Sequence, residues 1–434
     1  MPAARPSASR GEAGACFHRP KRPRSCRIPA RSRTGPGRRR TGRERRSVIV
    51  RTAFVSTYAP RRCGIATFTE DLVRATGSRE IVALHPAGQS SSYPIEVHHR
   101  IRRDEPDDYA IVGDALTRCV DVVSIQHEYG IWGGPDGSSV IDFVRSLEVP
   151  AVTTLHTILQ EPSSGQRAVL TELVARSEAT VVMSDSAAML LASVYGVDDR
   201  QVEVIPHGVP DLPLTDSVDV KASLGLAGRD VILSFGLLGP GKGYELVLDA
   251  LPAVVAKHPQ ACYVVVGATH PDLLRSEGEA YRDRLKAKVE RLGMADHVRF
   301  VDRFLGRVEL TRWLEAADVF VTPYPRLDQI VSGTLSYAMG AGRAIVSTPY
   351  TYAAEVLDDG RGILVPPDSP AALANALDAV LEDADLRLKL GRRAYAYSRQ
   401  MVWSAVGARY RQLFELVARE PTRSSTGVPV AVGV

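Results

Sequence analysis

Lys242 is the residue with the sharpest chemical implication. It stands among Gly236, Gly239, Gly241 and Gly243, after an apolar run at 231–235 and before a helical stretch at 244–257. An ammonium at a glycine-lined junction of strand and helix is a point charge where a diphosphate would dock. A solvated loop lysine is the competing reading. Ser332-Gly333-Thr334 offers a second anion site, because it opens the helical run 335–341. Such a turn leaves backbone N–H groups unpaired at a helix start, and that end attracts phosphate. An ordinary Ser- or Thr-capped helix would use the same residues. His127, His156 and His207 each stand at the end of a short apolar run. Gly64 lies where the loop 58–66 enters a helix expected at 67–76, and a glycine there lets a ligand approach the backbone. The loop matches neither GxGxxG nor a Walker A sequence.

The elements that would hold these groups have one pattern. Apolar runs at 48–56, 81–84, 120–125, 151–155, 180–183 and 202–205 alternate with helical segments. The pattern restarts with runs at 231–235, 263–266, 298–301, 319–322, 345–347 and 360–365. Short apolar runs separated by helices predict parallel sheets covered on both faces. In such sheets ligands bind beyond the carboxyl ends of the strands, where the polar residues above recur. The stretch 206–219 carries Pro206, Pro210 and Pro213 without a regular period, which marks a boundary. Two α/β halves of similar size imply two sheets facing a cleft. The expected division is a tail at 1–47, a first domain at 48–213, a second at 214–395, a last helix at 396–419 and a tail at 420–434. Trp403 and Tyr410 fall on the apolar positions of that helix.

The chain has 434 residues, 44% of them hydrophobic, enough for two cores. No apolar run approaches the roughly 20 residues that span a bilayer. The net charge of +4 is unevenly placed. Residues 1–46 hold 15 Lys/Arg against Glu12 and Glu44, while the remainder holds 39 basic and 48 acidic side chains, a net −9. A mildly acidic body argues against a broad nucleic-acid surface. Cys16, Cys26, Cys63, Cys119 and Cys262 are scattered, without CxxC spacing or a His/Cys cluster. Neither a metal site nor a disulfide framework is expected, and a reducing compartment fits. The basic stretch 1–47 is expected to be disordered. It reads as an arm for nucleic acid or an anionic membrane, as a transit peptide, or as translated sequence ahead of the true start. The abrupt onset of patterning at Ser47 favours the last.

Several motifs jointly match one family. RRCGIATF, TLHT, IPHGV, SFGLLGPGKG, ADVFVTPY, SYAMGAGRAIVS and AEVLDDGRGILVPP occur in order through about residues 48–395. With these the chain resembles the retaining glycosyltransferases of family 4. They have the GT-B fold, an α/β architecture of two facing Rossmann-like domains with a cleft between them. The resemblance implies transfer of a hexosyl group from a nucleotide-sugar donor to a glycan, lipid or small-molecule acceptor, with retention of configuration. The donor is a substrate, so no cofactor and no metal are implied. GDP-mannose, UDP-glucose and ADP-glucose are the candidate donors. The implied location is cytoplasmic, extended to peripheral contact at the inner face of the membrane.

Carried over by position, His156 and Lys242 are the catalytic candidates. His156 would sit beside the donor sugar and its phosphate, and Lys242 on the diphosphate. Gly64, Gly241, Gln329, Ser332, Gly333, Thr334, Tyr337 and Glu355 are the further donor-site candidates. The last helix would cross back to the first domain. Two departures stand out. The paired glutamates of the family, spaced E-x7-E, fall on Gln329 and Tyr337, and its basic residue after the first loop glycine falls on Leu237. Gln329 can hydrogen-bond hydroxyls but brings no charge. Asp328 and Glu355 are candidate substitutes. The degenerate pair motivates an alternative, a non-catalytic GT-B protein that binds nucleotide or glycan and acts with a partner. An epimerase or phosphorylase fits the motifs less well. The loop 126–134 is expected to face the cleft, with His127, Glu128 and Trp132 as acceptor contacts. A packed loop is the other reading.

Overall fold

The computed structural model describes residues 50–86, 92–215 and 217–419. The expectations for the segments 1–47 and 420–434 lie outside these residues. The first half forms β1 (Thr52–Ser56), β2 (Glu80–His85), β3 (Val97–Arg102), β4 (Val122–His127), β5 (Ala151–Leu155), β6 (Ala179–Val182) and β7 (Val202–Val204). They make one parallel sheet in the order β3-β2-β1-β4-β5-β6-β7. The second half forms β8 (Asp230–Phe235), β9 (Ala261–Val266), β10 (Val298–Val301), β11 (Val319–Thr322), β12 (Ala344–Ser347) and β13 (Ile363–Leu364). These make a second parallel sheet in the order β10-β9-β8-β11-β12-β13. The two α/β sheets expected from the sequence are present.

Strands such as β9 and β11 are buried along their whole length, because helices cover both faces of a parallel sheet. That is why they read as unbroken apolar runs. The edge strand β3 gave no such signal. Only Ile101 of Val-His-His-Arg-Ile-Arg is buried, and the polar residues guard an open sheet edge. In each sheet the chain starts at the centre, builds one side, then reverses. The reversals lie between β1 and β4 and between β8 and β11. Ligands bind in the crevice at such a switch point.

The helix after β1 runs Gly64–Thr76, three residues earlier than expected, because Cys63 Sγ caps it by accepting from the Ala66 N–H at 3.4 Å. The stretch 396–419, expected as one last helix, breaks at Arg399–Met401. Helix Ala384–Ser398 ends there and helix Trp403–Val417 begins. The latter buries Trp403, Val406, Tyr410 and Phe414 against Phe54, Phe68 and Leu72 of the first half. Each such side chain contributes about 1.5–3 kcal/mol by leaving water, which is why the chain's last helix returns to the first lobe. Gly407 permits the close approach, since a Cβ there would lie 2.6 Å from the Ala75 carbonyl oxygen.

Between the lobes, Ile330 and Val331 form one bridge. Ile330 packs with Tyr129, Leu155 and Ile158, and Val331 with the cluster containing Phe54 and Phe68. Ser184 Oγ donates to the Ile330 carbonyl at 3.3 Å.

Candidate functional site

The loop after β8 is shaped by its glycines. Gly243 has φ +70°, and a Cβ there would fall 2.0 Å from the Pro323 carbonyl oxygen, so no other residue fits without rearrangement. This turn leads into helix Tyr244–Lys257 and fixes Lys242 beside β11. Lys242 Nζ lies 3.4 Å from the Tyr324 hydroxyl and 4.4 Å from the centre of its ring. The same hydroxyl is 2.9 Å from Thr334 Oγ1, and the ring stacks on Tyr350 at 4.9 Å. Burial pushes the Tyr324 phenol up, but the Lys242 ammonium and hydrogen bonds from Thr334 and Ser332 outweigh it and leave it below its ordinary value.

Thr334 belongs to the tip of helix Gly333–Gly340. Ser332 Oγ accepts from the Leu335 N–H at 3.3 Å, and the Ser336 N–H closes on the Ser332 carbonyl. The Gly333 and Thr334 amides precede these and have no acceptor among the described residues, which leaves them open to an anion. Lys242, Tyr324 and the helix tip therefore converge at the β8–β11 switch point.

The first lobe meets this tip with imidazoles. His207 Nδ1 donates to the Gly208 carbonyl at 2.7 Å, which fixes the tautomer. Its Nε2 points at Gly333, where an added Cβ would lie 2.8 Å away. His156 Nε2 donates to Gln126 Oε1 at 2.9 Å. Phe68 touches both rings edge-on, at 4.9 Å from His156 and 5.1 Å from His207. Burial lowers His207 to about 4 against the pull of its bond to Gly208. Burial, with smaller effects of His207 and His127, lowers His156 to about 3. Both rings are neutral at neutral pH.

Gly64 and Gly241 are exposed, and a Cβ at either would meet nothing within 4 Å, so packing does not require glycine there. Gln329 is exposed and turns its amide back on the Val331 carbonyl at 2.8 Å. Tyr337 is buried and donates to Asp71 Oδ2 at 3.0 Å, across the lobes. Asp71 also pairs with Arg307 at 2.8 Å and Arg74 at 3.1 Å. Burial raises the Asp71 carboxyl, and Arg307 and Tyr337 offset part of that. Glu355 is engaged elsewhere. Its carboxylate takes the Asp185 and Ser186 N–H groups at 2.9 and 2.8 Å, capping helix Asp185–Tyr195 of the first lobe. Tyr324 and Asp71 were missed from sequence. Tyr324 lies two residues past a strand end, and Asp71 shares a helix face with Gly64 and Phe68, at offsets of seven and three residues.

The loop 126–134 corrects an expectation. Trp132 is 2% exposed, its ring packs near Tyr109 and Phe143, and its Nε1–H donates to the Gln126 carbonyl at 3.1 Å. A satisfied indole gains more from the core than from exposure, so it offers no face to a sugar. His127 is fully buried, and neither ring nitrogen has a partner among the described residues. Burial alone lowers it to about 3. Glu128 accepts from Thr157 Oγ1 at 2.7 Å and from the Gly130 N–H at 3.2 Å, which holds the loop's turn.

A family model described as Glycosyltransferase Family 4 matches residues 63–211, and one described as Glycosyl transferases group 1 matches residues 229–383. Phosphatidyl-myo-inositol mannosyltransferase of Mycobacterium tuberculosis is 31% identical over 281 residues, 62% of this chain and 68% of that one. D-inositol 3-phosphate glycosyltransferase of Jonesia denitrificans is 28% identical over 277 residues, 59% of this chain and 63% of that one. The alignment thus spans less than two thirds of the Jonesia protein and slightly more of the mycobacterial one. Among solved structures, Anabaena HepE in complex with UDP superposes with a TM-score of 0.69 at 18% identity, covering 84% of this chain and 100% of that one. That last likeness speaks to the fold. Two parallel sheets and the matching sequence over both lobes lead to one conclusion: the chain belongs to glycosyltransferase family 4 and has the GT-B fold.

Proposed function

We propose that the protein transfers a hexosyl group from a nucleotide-sugar to an acceptor with retention of configuration. The observation that carries this reading is the convergence of Lys242, through the Tyr324 hydroxyl, on the Thr334 end of a helix tip. Departure of a nucleoside diphosphate builds negative charge on the leaving oxygen, and donors already aimed there contribute most. Lys242 and the Gly333 and Thr334 amides are the donors in this proposal, and no metal or cofactor enters it. His156, neutral and held by Gln126, lies on the first-lobe side as an orienting group for the sugar.

The names of the two curated relatives point to a polyol acceptor, either a free inositol phosphate or a lipid with an inositol headgroup. A lipid acceptor would bring the protein to a membrane surface. Among the described residues no helix is long and apolar enough to cross one. The test is nucleoside diphosphate release from GDP-mannose, UDP-glucose and ADP-glucose, each with inositol, inositol phosphate or phosphatidylinositol. Acceptor-dependent release is expected for one donor, with the donor's anomeric configuration in the product. One observation favours a second reading, a non-catalytic binding protein. The position of the first family glutamate holds Gln329, whose amide is turned back on its own loop. Tight donor binding without release over the whole acceptor set would favour that reading.

A further inference from the structure

We propose that His207 is a phosphate ligand that takes up a proton when the donor docks, so that binding and protonation are one event. This rests on the nucleotide-sugar reading above. The ring's Nδ1–H is committed to the Gly208 carbonyl at 2.7 Å. The other nitrogen, Nε2, therefore presents a lone pair, and it faces Gly333 at the helix tip. A phosphoryl oxygen seated on the Gly333 and Thr334 amides would meet that lone pair, acceptor against acceptor. The ring has little freedom to swing away. Phe68 lies edge-on at 5.1 Å, Trp403 at 6.2 Å and Tyr337 at 6.1 Å, and the Gly208 bond holds the opposite edge. Taking one proton from solvent resolves the conflict. Nε2–H then donates to the phosphoryl oxygen while Nδ1–H stays on Gly208, and the imidazolium adds its positive charge to that of Lys242.

The other titratable groups facing this ring leave the role to His207. His156 keeps its Nε2–H on Gln126. The Tyr337 hydroxyl is spent on Asp71, which is itself neutralised by Arg307 and Arg74. Lys242 reaches the tip through the Tyr324 hydroxyl and Thr334. Burial keeps the free imidazole neutral, so the proton must arrive with the anion.

Calorimetry of GDP-mannose, UDP-glucose and ADP-glucose binding without acceptor tests this. Each phosphate of a nucleotide-sugar carries one ester bond, one anhydride bond and a single strongly acidic hydroxyl that is fully ionised, so the ligand brings no titrating proton of its own. Heats measured in buffers of different ionisation enthalpy should report uptake of about one proton per donor near neutral pH. The dissociation constant should weaken about tenfold per unit rise in pH between the free value of about 4 and the bound-state value, and level off above it. His207→Gln should abolish the uptake and weaken binding about ten- to a hundred-fold, whereas His156→Gln should keep the uptake. Wild-type binding with no buffer dependence, or undiminished uptake in His207→Gln, would overturn the proposal while leaving the transferase reading intact. No binding of any of the three donors would overturn both.

Discussion

Replacing Tyr324 by phenylalanine removes one oxygen and keeps the ring. That oxygen links Thr334 Oγ1 at 2.9 Å to Lys242 Nζ at 3.4 Å. Thr334 retains Ser332 Oγ at 3.2 Å, so no buried group is orphaned. The stability cost is then that of an ordinary hydrogen bond, about 1 kcal/mol. Replacing Tyr324 by leucine removes more. The stack on Tyr350 is worth about 0.5–1.5 kcal/mol, and the Lys242 contact with the ring face about 0.5–2 kcal/mol. With the space left behind, Tyr324→Leu should cost about 3–5 kcal/mol in total. Urea unfolding measures both values. In kinetics, Tyr324→Phe should lower kcat roughly tenfold, since Lys242 and the helix tip lose their common link but keep their places. Tyr324→Leu should lower it by roughly a hundred-fold, because Lys242 loses its seat as well. Equal losses in the two variants, or a Leu variant with normal turnover, would refute the view that this ring and hydroxyl assemble the anion site.

The buried histidines predict acid sensitivity. His127, His156 and His207 are lowered to about 3, about 3 and about 4, so the unfolded chain binds protons first as pH falls. Their contribution is whole above the free value of about 6.5 and is lost as pH falls toward the folded values. At about pH 5.5 each should have lost about 1.4 kcal/mol, or about 4 kcal/mol for the three acting independently. The urea midpoint should drop accordingly from about pH 7.5, and His127→Phe should remove roughly a third of the drop; a flat midpoint would contradict this. Trp132→Ala should cost about 3–5 kcal/mol in stability while the folded fraction keeps its acceptor KM. A raised acceptor KM at unchanged stability would restore Trp132 as a sugar contact.

Most strands and the two-sheet plan were legible because parallel strands buried on both faces carry short apolar runs, as in β5, β9 and β11. The strand β3 was not, because one buried isoleucine among histidines and arginines has no period to read. Lys242 and Ser332-Gly333-Thr334 were legible from glycine and cap chemistry alone. Their coupling through Tyr324 was not, since it joins residues 82 apart in sequence. The Tyr337–Asp71 contact spans 266 residues and exists only because the lobes meet. Trp132 misled because an aromatic between polar residues looks the same in sequence whether it faces solvent or core. Its neighbours Tyr109 and Phe143, from helices on either side of the loop, decide the matter.

In the proposed transfer the Lys242 ammonium and the Gly333–Thr334 amides together hold the departing diphosphate. The most direct measurement is the rate of nucleoside diphosphate release by Lys242→Ala, compared with the parent protein at saturating donor and acceptor. Loss of one such donor should cost about 3 kcal/mol, so kcat should fall roughly a hundred-fold with the urea midpoint little changed. Near-normal release by a folded Lys242→Ala variant would contradict the account.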